Sequence, residues 1–537
     1  ARYRRLKGDD VLYVCGSDEY GIAICMSAEK AGRTPQQQVD HFHVINKDLF
    51  NRLHFSFDHF SRTTWEGHKV PVQRYFLDLL ENGYIEKRTT EQLYSTVDER
   101  FLADRYVVGT CPKCGFESAR GDECTRCGES YEATDLLNPR AADSGSTLVK
   151  RETQHWFLLL DKLKEPLKEW LSKKEWKTNV QRSVANALDE LRPRAITRDL
   201  EWGIPVPLPD AEGKVLYVWF DAPIGYISAS MEWAELQGDP DRWKSYWTDP
   251  ESELVQFIGK DNLFFHALLF PAMTLGQNAP YKTVDELPAN EFLNLEGRQF
   301  SKSEGWMIDL DTFFERFTAD QIRYTLAANA PESSDSEFTW EDFQRRCNTE
   351  LVGKFGNLAN RVLTFAHKRC EGRAPEVLES DLEGEDRAFL QSCLALLKAV
   401  DEEYSHFSLR HATHSLMELA QAGNGYFDKK QPWIDARSEE NHPRMRTTIA
   451  CCLQCLKALA LAAAPIIPEA AQRLWKMLGC EGSVHEVSWT EEFSLVLPAN
   501  QALGEVEVLF SKVEDEVVEE ELEKLMALKQ AMGGSQA

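Results

Sequence analysis

Two Cys-x-x-Cys pairs, Cys111-Pro-Lys-Cys114 and Cys124-Thr-Arg-Cys127 with nine residues between them, limit the fold more than any other feature of this chain. Each pair aims two thiolates at one centre, and Gly115 and Gly128 let the backbone wrap the sulfurs. Four thiolates satisfy a tetrahedral Zn²⁺ at about 2.3 Å and leave no open position, so the expected site is structural. Four free or redox-active cysteines are the alternative, and the paired spacing fits them poorly.

At 537 residues the chain is too long for a single core, and two to four domains are expected. No run of about 18 apolar residues occurs; the most apolar stretch, 455–467, is interrupted by Lys457. The opening Ala-Arg-Tyr-Arg-Arg lacks the apolar core of a secretory signal, and a cytoplasmic protein is expected. A net charge of −26 argues against a polyanionic partner only globally, because acidic runs such as Glu379–Asp386 and Glu514–Glu523 carry much of the excess. Cys451, Cys452 and Cys455 read as buried small hydrophobes.

The run 11–15, Val-Leu-Tyr-Val-Cys, followed by Gly16-Ser17-Asp18-Glu19-Tyr20-Gly21, predicts a buried parallel strand, a loop and a helix. Similar strands are expected at 215–220 and 254–258, and helical spacing from about 341 onward. The cysteine-rich, charged region 82–197 interrupts this rhythm and reads as an insertion. Asp18, at a strand end, either pairs with a ligand ammonium or caps a helix; its own chemistry favours neither. Ala222 and Tyr226 share a helix face if a helix begins near Pro223. Asn357 and Arg361 share another, where base-edge contacts and an ordinary polar face are both open readings.

Four segments occur in a telling order: the cysteine knuckle; Trp219-Phe220-Asp221-Ala222-Pro223-Ile224-Gly225-Tyr226; Phe257-Ile258-Gly259-Lys260-Asp261; and Gln299-Phe300-Ser301-Lys302-Ser303. The last resembles the Lys-Met-Ser-Lys-Ser loop of class I aminoacyl-tRNA synthetases, and the set resembles the methionyl-tRNA synthetase family over nearly the whole chain. That resemblance implies an α/β fold: a Rossmann-like doubly wound parallel sheet with an inserted zinc-knuckle connective domain, followed by an all-α anticodon-binding bundle. The implied segments are 1–81 and 198–285 for the catalytic domain, 82–197 for the insertion, 286–340 for a stem-contact region and 341–537 for the helical domain.

By the same resemblance, Asp18 holds the α-amino group of methionine, and Trp219, Ala222, Pro223, Tyr226, Asn262, Phe265 and His266 form the side-chain pocket. Lys260, Asp261 and Lys302 contact ATP, accompanied by Mg²⁺, while Ser301, Lys302 and Ser303 face the departing pyrophosphate. Gln299 replaces the loop's first lysine, a loss of about 1–3 kcal/mol of charge-assisted contact, and Phe300 replaces its methionine as an apolar anchor. Asn357, Arg361 and Trp433 read the CAU anticodon of tRNA(Met). The implied function is methionine–tRNA ligase, without membrane or DNA partners. A His-Ile-Gly-His-like signature is missing, and residues 1–8 look like the end of the helix that follows it. The expectation is therefore an N-terminally truncated, poorly active chain, monomeric without the extra C-terminal domain of some relatives. A catalytically impaired, zinc-containing tRNA-binding protein is the rival reading.

Overall fold

Val14–Ser17 and His59–Arg62 run parallel, with Val14 opposite His59 and Ser17 opposite Arg62. The strand begins three residues later than the sequence predicts, because Tyr13 directs its N–H to the Asp58 carboxylate at 2.6 Å instead of to a ladder carbonyl. It is also half-buried rather than fully covered. A Cβ at Gly16 would lie 2.9 Å from the Ser61 carbonyl oxygen, so the pairing requires glycine there.

These strands belong to the computed structural model, which describes residues 1–102, 106–121, 124, 126–127, 131, 133–142, 144–301, 305–489 and 497–533. The chain divides into two units, one of Leu12–Asp48 and Phe57–Ala289, the other of Ala1–Val11, Leu49–Ser56 and Asn290–Ala537.

In the first unit the helix Gly225–Leu236 packs across both parallel strands. A long antiparallel ladder pairs Ile85–Ser95 with Leu148–Leu158, from Ile85 opposite Leu158 to Ser95 opposite Leu148. Between its arms lies a small sheet of Val107–Thr110 with Ala119–Arg120 and Leu137–Ala141, and this sheet carries the cysteine pairs. The strand expected at 215–220 is shorter. Lys214–Leu216 pairs antiparallel with Thr197–Asp199, and Val218–Asp221 turns helical. That turn buries Phe220 completely and leaves Trp219 half-buried, so tertiary packing overrides the β propensity of the aromatic run. At 254–258 Val255 bridges Glu286 in parallel, and Ile258–Gly259 delivers the chain into the turn Lys260–Asn262.

The second unit is mainly helical. Trp340–Arg346, the π-helical Cys347–Gly356 and Asn357–Arg369 follow without interruption. Gly384–Ser405, Leu409–Lys430, His442–Ala463 and Pro468–Met477 complete the bundle. By length and composition Glu439–Ala463 is apolar enough to cross a membrane, yet 83% of that window is buried within the protein. Cys451, Cys452 and Cys455 lie in it as buried small hydrophobes. The short helix Arg2–Leu6 docks on the same core: the Tyr3 hydroxyl donates to Asp401 Oδ1 at 2.7 Å, and its ring meets Trp489 edge-on. The run 379–386 is not wholly solvated, since Asp386 is buried against Lys430.

Candidate functional site

Asp18 directly follows the strand Val14–Ser17. The next helix starts at Ile22 with Gly21 as its cap, so Asp18 is not a helix N-cap. Its side chain is open to water yet enclosed by protein on most sides, the setting of a group at the bottom of a crevice. That enclosure, together with the Asp221 carboxylate, pushes the Asp18 acid well above the usual carboxylate range. Asp221 is itself fully buried, and burial raises it likewise, against the opposing pull of the backbone N–H groups of Asp221 and Ala222.

The structure brings several residues singled out in the sequence into contact with one another. Trp219 stacks on Phe265 with ring centroids 3.7 Å apart and planes at 7°. Tyr226 hydrogen-bonds His266 Nε2 at 2.8 Å, and His266 Nδ1 lies 3.0 Å from the Asn262 carbonyl. Burial, then Cys15 and Asp18, raises the Tyr226 phenol, so Asp18 and Tyr226 lie within electrostatic reach of one another. Ala222–Ile224 form a tight turn with Pro223 in its first positions, and this turn leads into the helix that bears Tyr226. Phe265–Leu269 is a π-helical turn, the wider winding often found at functional sites. Lys260 and Asp261 occupy the turn just past the strand Ile258–Gly259. A Cβ at Gly259 would come within 2.5 Å of Asp261 Oδ1, so a larger residue there would make the Asp261 side chain move.

Glu19 escaped the sequence reading. It is 2% exposed and is held from two segments: Arg62 Nε donates to its carboxylate at 2.7 Å and Thr63 Oγ1 accepts its N–H at 2.9 Å, while Trp202 Nε1 donates to its carbonyl at 2.8 Å. This clamp fixes the loop that presents Asp18. Its only sequence signal was an acidic residue beside an acidic residue, a costly arrangement without a cation nearby.

The four cysteines converge. Their sulfurs all lie within 4.8 Å of one another, with Cys111 to Cys127 at 3.9 Å and Cys114 to Cys124 at 3.6 Å. Thiolates at the corners of a tetrahedron around Zn²⁺ would be about 3.8 Å apart, so the donor set fits that ion. The Cys114 N–H points at Cys111 Sγ from 3.5 Å, and Gly115 adopts φ +72° to close the turn. Burial works to raise the Cys124 thiol, but hydrogen bonds from the backbone at Cys127 and Arg126 and from the Cys114 and Cys127 thiols outweigh it and bring it to about 7.

In the helical unit, Asn357, Arg361 and Trp433 come together around Leu409–Lys430. Asn357 Nδ2 donates to Asn424 Oδ1 at 3.2 Å, while Arg361 pairs with Asp428 and lies over the Phe427 ring at 4.9 Å. Trp433 is half-buried, with its ring 5.7 Å from Phe427. Gln431, at φ +48°, reverses the chain so that Pro432 can open the next turn.

Lys302 and Ser303 lie outside the described residues. Ser301 is described: it exchanges backbone hydrogen bonds with Trp306 at 2.9 and 3.0 Å. Trp306 is buried and donates Nε1 to the Leu295 carbonyl, closing the base of the loop. Phe300, the expected anchor, is instead 41% exposed. The preceding hairpin turns at Glu296 and Gly297, both at positive φ, which suits its right-handed twist.

Comparison with known proteins gives a consistent result. The family described as tRNA synthetases class I (M) matches residues 1–363, and the anticodon binding domain of methionyl tRNA ligase matches residues 379–530. Methionine–tRNA ligase of Protochlamydia amoebophila is 59% identical over 528 residues, covering 98% of this chain and 75% of that protein. The Chlamydia pneumoniae ligase is 50% identical over 523 residues, covering 96% and 94%. Among solved structures, Mycobacterium tuberculosis methionyl-tRNA synthetase in complex with methionyl-adenylate aligns with a TM-score of 0.78 at 25% identity, over 95% of this chain and 94% of that one.

Proposed function

This chain belongs to the methionine–tRNA ligase family of class I tRNA synthetases, and on that premise we propose how its residues share the work of joining L-methionine to tRNA(Met). A methionine carboxylate oxygen attacks the α-phosphorus of ATP, the bond to the bridging oxygen breaks, and pyrophosphate leaves. The 2′-hydroxyl of the tRNA's terminal adenosine then attacks the acyl carbon of methionyl-adenylate, gives up its proton, and AMP leaves. The first step needs no general base, because the carboxylate is already ionised at neutral pH.

Asp18 receives the methionine ammonium. A carboxylate destabilised by enclosure and by Asp221 gains most when a cation arrives beside it. The thioether lies among Trp219, Ala222, Pro223, Tyr226, Phe265 and His266, where aromatic edges favour sulfur, and the Asn262 carbonyl orients the imidazole. Lys260 and Asp261 contact the nucleotide, and Lys302 with Ser301 and Ser303 faces the pyrophosphate, with Mg²⁺ accompanying ATP. Cys111, Cys114, Cys124 and Cys127 hold one structural Zn²⁺. Asn357, Arg361 and Trp433 contact the anticodon bases. On this reading the protein works in the cytoplasm, without a membrane or DNA partner.

One observation supports this reading of the methionine site: Tyr226, which hydrogen-bonds His266, lies within electrostatic reach of Asp18. The test is methionine-dependent ATP–pyrophosphate exchange. Exchange that requires L-methionine and is lost in Asp18→Ala supports the assignment, whereas exchange retained in that variant removes Asp18 from the site.

A further inference from the structure

Asn424 lies in the helix Leu409–Lys430 and is only 7% exposed. Its Nδ2 donates to two main-chain carbonyls, those of Lys354 and Ala420, each at 3.0 Å. The Lys354 carbonyl belongs to the π-helical stretch Cys347–Gly356, so an irregular turn of one helix meets a buried amide of another. Carbonyl oxygens accept and never donate. The backbone therefore decides which way the Asn424 amide points, with NH₂ toward the carbonyls and Oδ1 away from them.

What Oδ1 meets is Asn357 Nδ2, at 3.2 Å. The orientation passes on: Asn357 must turn an N–H inward, which leaves its own Oδ1 and second N–H outward on an exposed side chain. An amide free to flip would offer donor and acceptor in either order and would discriminate poorly between base edges. A locked amide offers one order.

We infer that Asn424 is a positioning residue for anticodon recognition, relaying the orientation of two backbone carbonyls to the base-facing amide of Asn357. The inference rests on the base-reading role proposed above for Asn357, and the experiment separates the two.

Binding of the full chain would be measured to a tRNA(Met) transcript and to the same transcript with one anticodon base changed. The wild-type preference should shrink about tenfold in Asn357→Ala, in Asn424→Leu and in Asn424→Ser, the scale of one lost directional hydrogen bond. Asn424→Ser is the decisive variant. Its hydroxyl can still bond the Ala420 carbonyl, which preserves the helix, but the shorter side chain keeps its oxygen back at the helix backbone, short of where Asn424 Oδ1 meets Asn357. Combining Asn357→Ala with Asn424→Ser should lower the preference no further than either alone, while methionine affinity stays at the wild-type value. A wild-type preference in Asn424→Ser alongside a loss in Asn357→Ala refutes the relay and leaves the reader role standing. Additive losses in the double variant refute it too. An unchanged preference in Asn357→Ala removes the base-reading role, and the relay with it.

Discussion

The phenol of Tyr226 and the carbonyl of Asn262 hold His266 from its two ring nitrogens, at 2.8 Å on Nε2 and 3.0 Å on Nδ1. The carbonyl can only accept, so Nδ1 carries the proton and Nε2 accepts from the phenol. Burial pushes the imidazole below its ordinary range and keeps the ring neutral. Two side chains forty residues apart thus become one hydrogen-bonded unit. Tyr226→Phe should weaken methionine binding about tenfold, the worth of one hydrogen bond, with the unfolding midpoint nearly unchanged. Calorimetric titration with L-methionine checks this, and wild-type affinity in the variant would mean the bond does not shape the site.

His68 makes a pH-dependent contribution to stability. It is fully buried with Nδ1 on Ser228 Oγ, and burial drives its imidazole down to about 4. The group facing Nε2 is Asp221 at 3.9 Å, beyond hydrogen-bond reach, and burial of the ring outweighs it. Below the unfolded value of about 6.5 the unfolded chain takes up a proton that the folded chain refuses. The stability this histidine contributes is therefore present above pH 6.5 and is lost as pH falls toward 4. Asp320, lifted by burial to about 6, works in the opposite direction: its contribution is lost as pH rises from the ordinary carboxylate range through 6. The comparison is thus made between wild type and His68→Gln by denaturant unfolding at pH 7 and pH 5. The deficit of the variant should shrink by about 2 kcal/mol at the lower pH; a constant deficit would mean that His68 takes up its proton as readily in the folded protein as in the unfolded chain.

Lys430 and Asp386 form a buried ion pair at 2.8 Å, with side chains 2% and 1% exposed, and the Tyr426 hydroxyl donates to the same carboxylate at 2.7 Å. Removing one partner strands the other charge. Lys430→Met alone should cost roughly 3 kcal/mol, while Lys430→Met with Asp386→Leu should recover most of that loss. Urea unfolding of the single and double variants tests the coupling, which additive costs would exclude.

The cysteine cluster predicts metal content. Elemental analysis of the purified chain should find about one zinc per chain, and Cys111→Ser should lose it. Proteolytic nicking should then rise between residues 111 and 127 while far-ultraviolet circular dichroism of the helical unit stays as in wild type. Full retention of zinc in that variant would show that the ion is held elsewhere.

Much of this chemistry was legible in the order of residues because the spacing was short-range. Cys-x-x-Cys pairs place their sulfurs through local turns, so the knuckle could be read before any contact was known. Asn357 and Arg361, one turn apart within Asn357–Arg369, follow from helical geometry alone. Element edges were less legible. The strand at 214–216 ends where Phe220 must be buried and Trp219 must reach Phe265, and a β-rich aromatic run carries no sign of that.

By itself the sequence determined the cysteine site, the helical character of the second half and the family, all of which depend on local spacing or on motifs that stand in order along the chain. Only the tertiary structure decided the tautomer of His266, the enclosure that raises Asp18, the clamp on Glu19 and the amide orientation of Asn357. Each depends on atoms that meet across tens or hundreds of residues, with hydrogen-bond direction and local polarity supplied by whichever group folding brings alongside. Such properties belong to contacts rather than to residues, and a sequence names only the residues.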